Sequence, residues 1–371
     1  MSYPQPRSAV TSTPLVHHGA IAPSEIRRLG LDPKAIADFS VNVNPYGPAP
    51  TVRAALAQVP LDRYPDPEAA MLREALATHL QRSPDQILVG NGSAELLWLI
   101  AIAFLDHGDS VLVLEPTFGE YARVSRLMGA EVLRWRADSR EQFAIQTEAI
   151  DRLLRRARPR IVFLCHPNNP TGLSFPLEAL TAWSDTHPAT LFVVDEAYLP
   201  FIEGGVSALT LRAPNILALH SMTKAHALAG LRLGYAVGHK EVIDALRRVQ
   251  PPWSVNALAQ AAGLAALQAQ TYLKATLALL QEQRRMLRRA LRDVGWQPLP
   301  SDTHYFLVPV DHAAQTRSAL LARGLVVRDC SSFGLPQHIR IATRTPEENA
   351  KLVRAMAELI LPSDFSHLPK T

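Results

Sequence analysis

A chain of 371 residues exceeds what one hydrophobic core usually serves, so two domains, or one large domain with an appended one, are expected. Hydrophobic residues at 47% and charged residues at 19% make a globular composition and exclude a disordered one. The net charge of +4 and a pI near 9.2 suit anionic small molecules at least as well as nucleic acid, and no nucleic-acid partner is expected.

Residues 1 to 16 are rich in Ser, Thr and Pro, contain no apolar signal-peptide stretch, and read as a flexible lead. His17-His18-Gly19 follows, then a short helical pattern through Ile26 and Leu29 that stops at Gly30. Alternation of polar and apolar residues suggests a short strand carrying Asn42 and Asn44, running into the irregular loop around Asn44-Pro45-Tyr46-Gly47-Pro48. Asn44 is there either a turn former or a ligand. Arg63-Tyr64-Pro65-Asp66-Pro67 makes a rigid turn whose tyrosine is by default a half-buried packing residue.

A helix is expected over Glu68 to Leu80, and then the first strand-to-helix junction, Gln86 to Glu95. Its glycines permit close backbone approach, Ser93 is a good N-cap, and the free N–H groups of the helix start suit a phosphate. The spacing is not that of a dinucleotide fingerprint. The apolar helix Leu96 to Leu105 is too short to span a bilayer, so no membrane association is expected. Ser110 to Leu114 is the next buried strand, and Phe118 just beyond it either stacks on a planar cofactor or packs.

Arg160 to Cys165 and Thr190 to Val194 are apolar throughout and separated by the helical pattern Leu177 to Trp183, which indicates a parallel sheet covered on both faces. Such sheets hold ligands at the carboxyl ends of their strands. Asn169, Asp195 and, after the run Ile216 to Leu219, Lys224 all lie just beyond such ends. A lysine on a loop between buried strands can form a Schiff base, but a free amine titrates near ~10.4, so the site must lower that value. Ser221 and Arg232 flank it and suit the phosphate of pyridoxal phosphate (PLP). Asp195 can keep a pyridine nitrogen protonated, and Asn169 can donate to a ring oxygen.

The region Asn256 to Val294 reads as a long helical segment, with Arg284, Arg285, Arg288, Arg289 and Arg292 forming a solvated face. Cys165 and Cys330 have no paired spacing, so neither a disulfide framework nor a zinc site is expected. A reducing, cytoplasmic compartment follows. Residues 362 to 371 read as a frayed tail.

Asn169-Pro170-Thr171-Gly172, then Asp195-Glu196-Ala197-Tyr198, then Ser221-x-x-Lys224 with Arg232, resembles the fold-type-I PLP enzymes of the aminotransferase superfamily, over nearly the whole chain. The resemblance implies an α/β fold: a large PLP-binding domain over 48–270 with a mostly parallel sheet, and a smaller α/β domain from 271–371 with the amino-terminal segment 1–47. It implies that Lys224 is the Schiff-base lysine and Asp195 the pyridine partner, with Asn169 and Tyr198 on the ring hydroxyl. Ser93, Ala94, Ser221 and Arg232 would hold the cofactor phosphate, and Phe118 would stack on the ring. Tyr64 would reach that phosphate from a second subunit, making a homodimer. Arg340 matches the arginine that pairs with a substrate carboxylate.

Two relatives that accept phosphorylated amines compete: histidinol-phosphate aminotransferase and the threonine-phosphate decarboxylase of cobalamin biosynthesis. His18-Gly19, the segment from Asp38 to Pro48, Arg328 to Phe333 and Arg344 to Asn349 look more like the decarboxylase. The expectation is therefore decarboxylation of L-threonine O-3-phosphate to 1-amino-2-propanol O-2-phosphate, with Arg328 as the phosphate ligand and His18 assisting. Two departures stand out: Ala20 replaces a usual glycine, and Thr303-His304-Tyr305-Phe306 replaces a usual Ala-Asn-Phe. A non-enzymatic effector-sensing role would need a fused DNA-binding domain ahead of the PLP domain, for which the short lead has no room.

Overall fold

The computed structural model describes residues 4–16 and 19–360, so His18 and the tail 362–371 lie outside the described residues. Short apolar runs bounded by turn residues form the strands. They are β1 (Ala37–Asp38), β2 (Ile87–Gly90), β3 (Ser110–Glu115), β4 (Glu131–Arg136), β5 (Ile161–Cys165), β6 (Leu191–Asp195), β7 (Ile216–Ser221) and β8 (Gly234–Val237). The carboxyl-terminal third adds β9 (Tyr305–Pro309), β10 (Leu325–Val326), β11 (Arg328–Asp329) and β12 (His338–Ala342).

One seven-stranded sheet has the order β2-β8-β7-β6-β5-β3-β4. All its pairs are parallel except the two made by β8, which runs against both β2 and β7. Successive residues in a strand point to opposite faces. Val111, Val113, Ile161, Phe163 and Val193 therefore enter one apolar layer with the helices Gly92–Phe104 and Glu120–Leu127. Leu112, Leu114, Val162, Leu164 and Phe192 enter the other, with Thr147–Ala157 and Leu177–Thr186. Covering on both faces is why these strands are apolar at every position. The mostly parallel α/β architecture expected from the sequence is thus present.

A second, three-stranded antiparallel sheet has the order β11-β12-β9, and β1 pairs in parallel with β10, tying residues near the amino terminus to the carboxyl-terminal third. Arg328 lies directly opposite Arg340 in the β11–β12 register. Residues paired across strands share a face, so the two guanidinium groups are neighbours.

Several local expectations shift. The helix expected from Glu68 begins at Ala70, because the Asp66 carboxylate accepts the N–H groups of Glu68 (2.9 Å) and Ala70 (2.7 Å) and holds a turn ahead of it. The next helix begins at Gly92 with Asn91 at the N-cap, so Ser93 lies within the first turn and does not cap it. The long helical region divides at Ala269 into Ala257–Gln268 and Gln270–Asp293. Its arginine face is only partly solvated. Arg284 donates to the carbonyls of Ser301 (3.1 Å) and Thr303 (2.9 Å), and Arg288 to that of Leu299 (2.9 Å), pinning the segment that leads into β9. In the expected lead, Ser8–Ser12 forms a short helix. No helix among the described residues is long and apolar enough to cross a membrane.

Candidate active site

Because β8 returns against β7, Lys224 sits on a hairpin closed by the Ser221–Gly234 pair and by the Met222 N–H, which donates to the Leu233 carbonyl at 3.0 Å. Asn44 braces this hairpin. Its backbone N–H donates to the Lys224 carbonyl (3.0 Å), and its amide donates to the Ala225 carbonyl (3.0 Å) and to Thr276 Oγ1 (2.9 Å). Asn44 was expected among the substrate ligands, but these partners occupy its side-chain donors away from the cavity wall. The Lys224 amine has its pKa lowered to about 8, first by burial and then by the positive charges of Arg340 and Arg232, against the pull of Asp195. Its Nζ lies 5.9 Å from the centre of the Tyr198 ring.

A cavity of about 510 Å³ opens at the carboxyl ends of the parallel strands, and Lys224 lines it with Ala94, Phe118, Asn169, Tyr198, Arg232, Arg328 and Arg340. Eight of the sequence-derived candidates are thus brought together. Asp195 ends β6, one layer deeper. Its Oδ2 accepts from the Tyr121 hydroxyl at 2.7 Å and its Oδ1 from the Ala197 N–H at 3.0 Å. Burial pushes the Asp195 carboxyl up, while those donors and Lys224 hold it down. Arg340 is buried, donates to Asn169 Oδ1 and to the Ser40 carbonyl, and lies 5.4 Å from the Tyr305 ring. Arg328 donates to Ser332 Oγ at 2.7 Å and lies 5.4 Å over Phe333.

The start of helix Gly92–Phe104 meets the end of the hairpin. A Cβ on Gly92, whose φ is +79°, would stand 2.9 Å from the Arg232 guanidinium, and one on Gly234 would stand 2.7 Å from the Ser93 nitrogen. No side chain caps this helix, so its first N–H groups and Arg232 together make an anion cradle. Ser221 lies beside it, with its Oγ 2.7 Å from Thr223 Oγ1. A lysine of lowered pKa, a buried carboxylate, an aromatic wall from Phe118 and a phosphate cradle are the donor set that PLP requires, and they fit it.

Tyr64 stands apart. The expected packing role is not seen: the side chain is 82% exposed and touches only the ring of Trp253, at 4.8 Å, among the described contacts. Other residues line the cavity that the sequence did not single out. Arg123 pairs with Glu120 at 3.0 Å and lies 5.6 Å over Trp98, and all three face the cavity. The helical spacing of Glu120 and Arg123 was the available signal. The two departures acquire physical content. Ala20 has φ +78°, a left-handed conformation that favours glycine, and its N–H donates to Ser40 Oγ at 2.9 Å. The Tyr305 hydroxyl donates to the Asn168 carbonyl at 3.0 Å, a bond that phenylalanine could not make, while His304 is buried and stacked 3.7 Å from Phe201.

Residues 34–356 match the family described as Aminotransferase class I and II. A histidinol-phosphate aminotransferase of Symbiobacterium thermophilum is 40% identical over 343 residues, covering 89% of this chain and 91% of that protein. The crystal structure of histidinol-phosphate aminotransferase from Sinorhizobium meliloti in complex with pyridoxal-5'-phosphate superposes with a TM-score of 0.85 at 26% identity, over 96% of this chain and 98% of that one. L-Threonine-O-3-phosphate decarboxylase from Porphyromonas gingivalis gives a TM-score of 0.76 at 28% identity, over 86% and 98%. The expected decarboxylation therefore does not stand, because a relative 40% identical over nearly the whole length carries the aminotransferase name. The reason the residues misled is physical: neighbouring Arg328 and Arg340 suit any substrate with two anionic groups, and a dicarboxylate amino donor meets that requirement as well as threonine phosphate does. The chain belongs to the class I and II aminotransferase family, and it is an enzyme of fold type I that uses PLP.

Proposed function

We propose that this enzyme transfers an amino group between histidinol phosphate, or a closely similar phosphorylated amine, and 2-oxoglutarate. The observation that carries the reading is the 40% identity to a histidinol-phosphate aminotransferase over 91% of that protein, and it is supported by the convergence of Lys224, Arg328 and Arg340 on one cavity beside the anion cradle. When bound, PLP supplies an aldehyde for the amine and a ring that takes up the electrons released at Cα.

The protein's own groups do the rest. Lys224 would hold the cofactor and, once freed, would serve as the base that takes and returns a proton. Asp195 would keep the ring nitrogen protonated, Asn169 and Tyr198 would bind the ring hydroxyl, and Phe118 would cover one ring face. Ser93, Ala94, Ser221 and Arg232 would hold the phosphate. Arg340 pairs with the α-carboxylate of glutamate, and Arg328 binds the phosphate of the amine in one half-reaction and the distal carboxylate in the other. A planar fork suits both anions. We assign the ligand and cofactor holders to two bodies, a large one over 48–270 and a smaller one from the remaining residues.

Incubating the protein with histidinol phosphate and 2-oxoglutarate should form glutamate, and threonine phosphate should release no carbon dioxide. The reverse pattern would overturn the assignment. Arg232→Ala should remove a charge-assisted bond of roughly 1.5–3 kcal/mol. That corresponds to PLP retention weaker by about one to two decades. Retention equal to the parent's on extensive dialysis would contradict the role given to Arg232.

We also infer a homodimer. Leu61, Tyr64, Met71 and Trp253 are exposed large apolar residues on or near the turn that carries Tyr64, and a second copy would cover them. Light scattering should give twice the chain mass, and a monomer at micromolar concentration would exclude the role given to Tyr64.

A further inference from the structure

Tyr121 lies in the first turn of the helix Glu120–Leu127 and is wholly buried. Its hydroxyl meets Asp195 Oδ2 at 2.7 Å. Its ring lies parallel to that of Phe163 at 5.2 Å, with 3° between the planes. It meets the ring of Phe118 edge to face, with the ring centres 5.6 Å apart and the planes at 80°. One side chain therefore touches both residues assigned to the cofactor ring, Asp195 at its nitrogen and Phe118 at its face, and β5 holds that side chain from behind.

We propose that Tyr121 is a positioning residue that sets both of these groups at once, its hydroxyl orienting the Asp195 carboxylate and its ring fixing the tilt of Phe118. The proposal rests on the roles given above to Asp195 and Phe118. Asp195 has two oxygens and two fixed donors, Tyr121 on Oδ2 and the Ala197 N–H on Oδ1. These hold the carboxylate in one rotation, leaving its remaining lone pairs for a ring nitrogen. The other ionisable groups around it are Lys224 across the cavity, Cys165 at the end of the neighbouring strand, and Glu196 and Tyr198 just beyond it. Of these only Lys224 brings positive charge. Without the tyrosine hydroxyl, only the Ala197 N–H and Lys224 oppose the effect of burial, the carboxylate gains proton affinity, and less of it remains as a counter-charge for a protonated ring.

The phenyl ring and the hydroxyl can be separated. Tyr121→Phe keeps the contacts to Phe163 and Phe118 and removes only the donor, and Tyr121→Leu removes both. Each variant, with Asp195→Asn as reference, is purified, checked for its unfolding temperature, and read in three ways: PLP dissociation constant of the apoprotein, visible absorption of the bound cofactor against pH, and kcat with KM for glutamate. Tyr121→Phe should lower kcat about ten- to a hundredfold, as loss of a hydrogen bond to a charged group does, while KM and PLP affinity stay within about threefold of the parent. Its absorption should titrate at a pH displaced in the same direction as in Asp195→Asn. Tyr121→Leu should in addition bind PLP about tenfold more weakly, through loss of the aromatic contact. Parental kcat and parental titration in Tyr121→Phe, beside an altered Asp195→Asn, would overturn the proposal and leave the role of Asp195 standing. An Asp195→Asn variant indistinguishable from the parent would overturn both. Should Tyr121→Leu fail to fold, Tyr121→Phe decides alone.

Discussion

Lys224→Ala is expected to abolish turnover, by at least about four decades, because on the proposed mechanism one residue serves as covalent anchor and as proton carrier and neither role has a substitute in the cavity. The other cationic side chains that line the cavity among the described residues, Arg123, Arg232, Arg328 and Arg340, are guanidinium groups, which do not serve as proton acceptors in proteins. The Lys224 amine lies where burial and two arginines lower its pKa to about 8. A lowered pKa favours the neutral form, so the nucleophilic fraction of the apoprotein rises through pH 8 and is nearly complete one to two units above it. Capture of PLP by the apoprotein should accelerate over that interval in the parent and show no such rise in Lys224→Ala. Stopped-flow absorbance follows the capture, and glutamate formation follows turnover. The variant should still take up PLP reversibly through the phosphate cradle, and added methylamine should restore a small part of the rate. Undiminished turnover would remove Lys224 from the mechanism.

The second large effect is expected at Arg340. Its guanidinium is buried, holds Asn169 and the Ser40 carbonyl, and stands over Tyr305. Truncating a buried charged partner typically costs about 2–5 kcal/mol, so Arg340→Ala should lower kcat/KM for 2-oxoglutarate by about two to four decades. Arg340→Lys should recover little of this, since a point charge cannot hold a carboxylate, Asn169 and the Ser40 carbonyl together. The half-reaction with histidinol phosphate, which brings no carboxylate, should fall at least tenfold less than the half-reaction with glutamate, by roughly the energy of one charge-assisted bond. Equal losses in both would mean that Arg340 acts only through Asn169, and an unchanged kcat/KM for 2-oxoglutarate would remove it from substrate binding.

How far the residues could be read depends on what each relation spans. Strands buried on both faces announce themselves as unbroken apolar runs, so β3, β5, β6 and β7 were legible, and with them the edge on which Asn169, Asp195 and Lys224 lie. Relations between distant segments were not. Asn44 and Thr276 meet across most of the chain, and nothing local to either residue marks the contact. The bond from Tyr121 to Asp195 joins the first turn of a helix to the end of β6 across the intervening β5, and only the folded sheet brings the two together. The arginine face of the second long helix looked solvated because periodicity records spacing and cannot record a loop that folds back onto it. The choice of reaction failed for another reason. Decarboxylation and amino transfer differ in which bond at Cα stands perpendicular to the ring, an angle that the same residue types can set either way.

The reversed strand β8 has one more consequence. A parallel partner for β7 would have required a crossover of a dozen or more residues, usually by way of a helix, and would have carried Arg232 far from Lys224. With β8 antiparallel, amine and guanidinium hang from a single short arch whose two feet are clamped to each other at Ser221 and Gly234. On the roles proposed for Lys224 and Arg232, the arch would work as a ruler: its length would set the reach between the cofactor's aldehyde and its phosphate, and a residue gained or lost inside it would spoil the gauge. Arg328 and Arg340 stand on the separate three-stranded sheet and are free of that measure. New substrates can therefore be accommodated by changing that sheet, while the ruler stays the same.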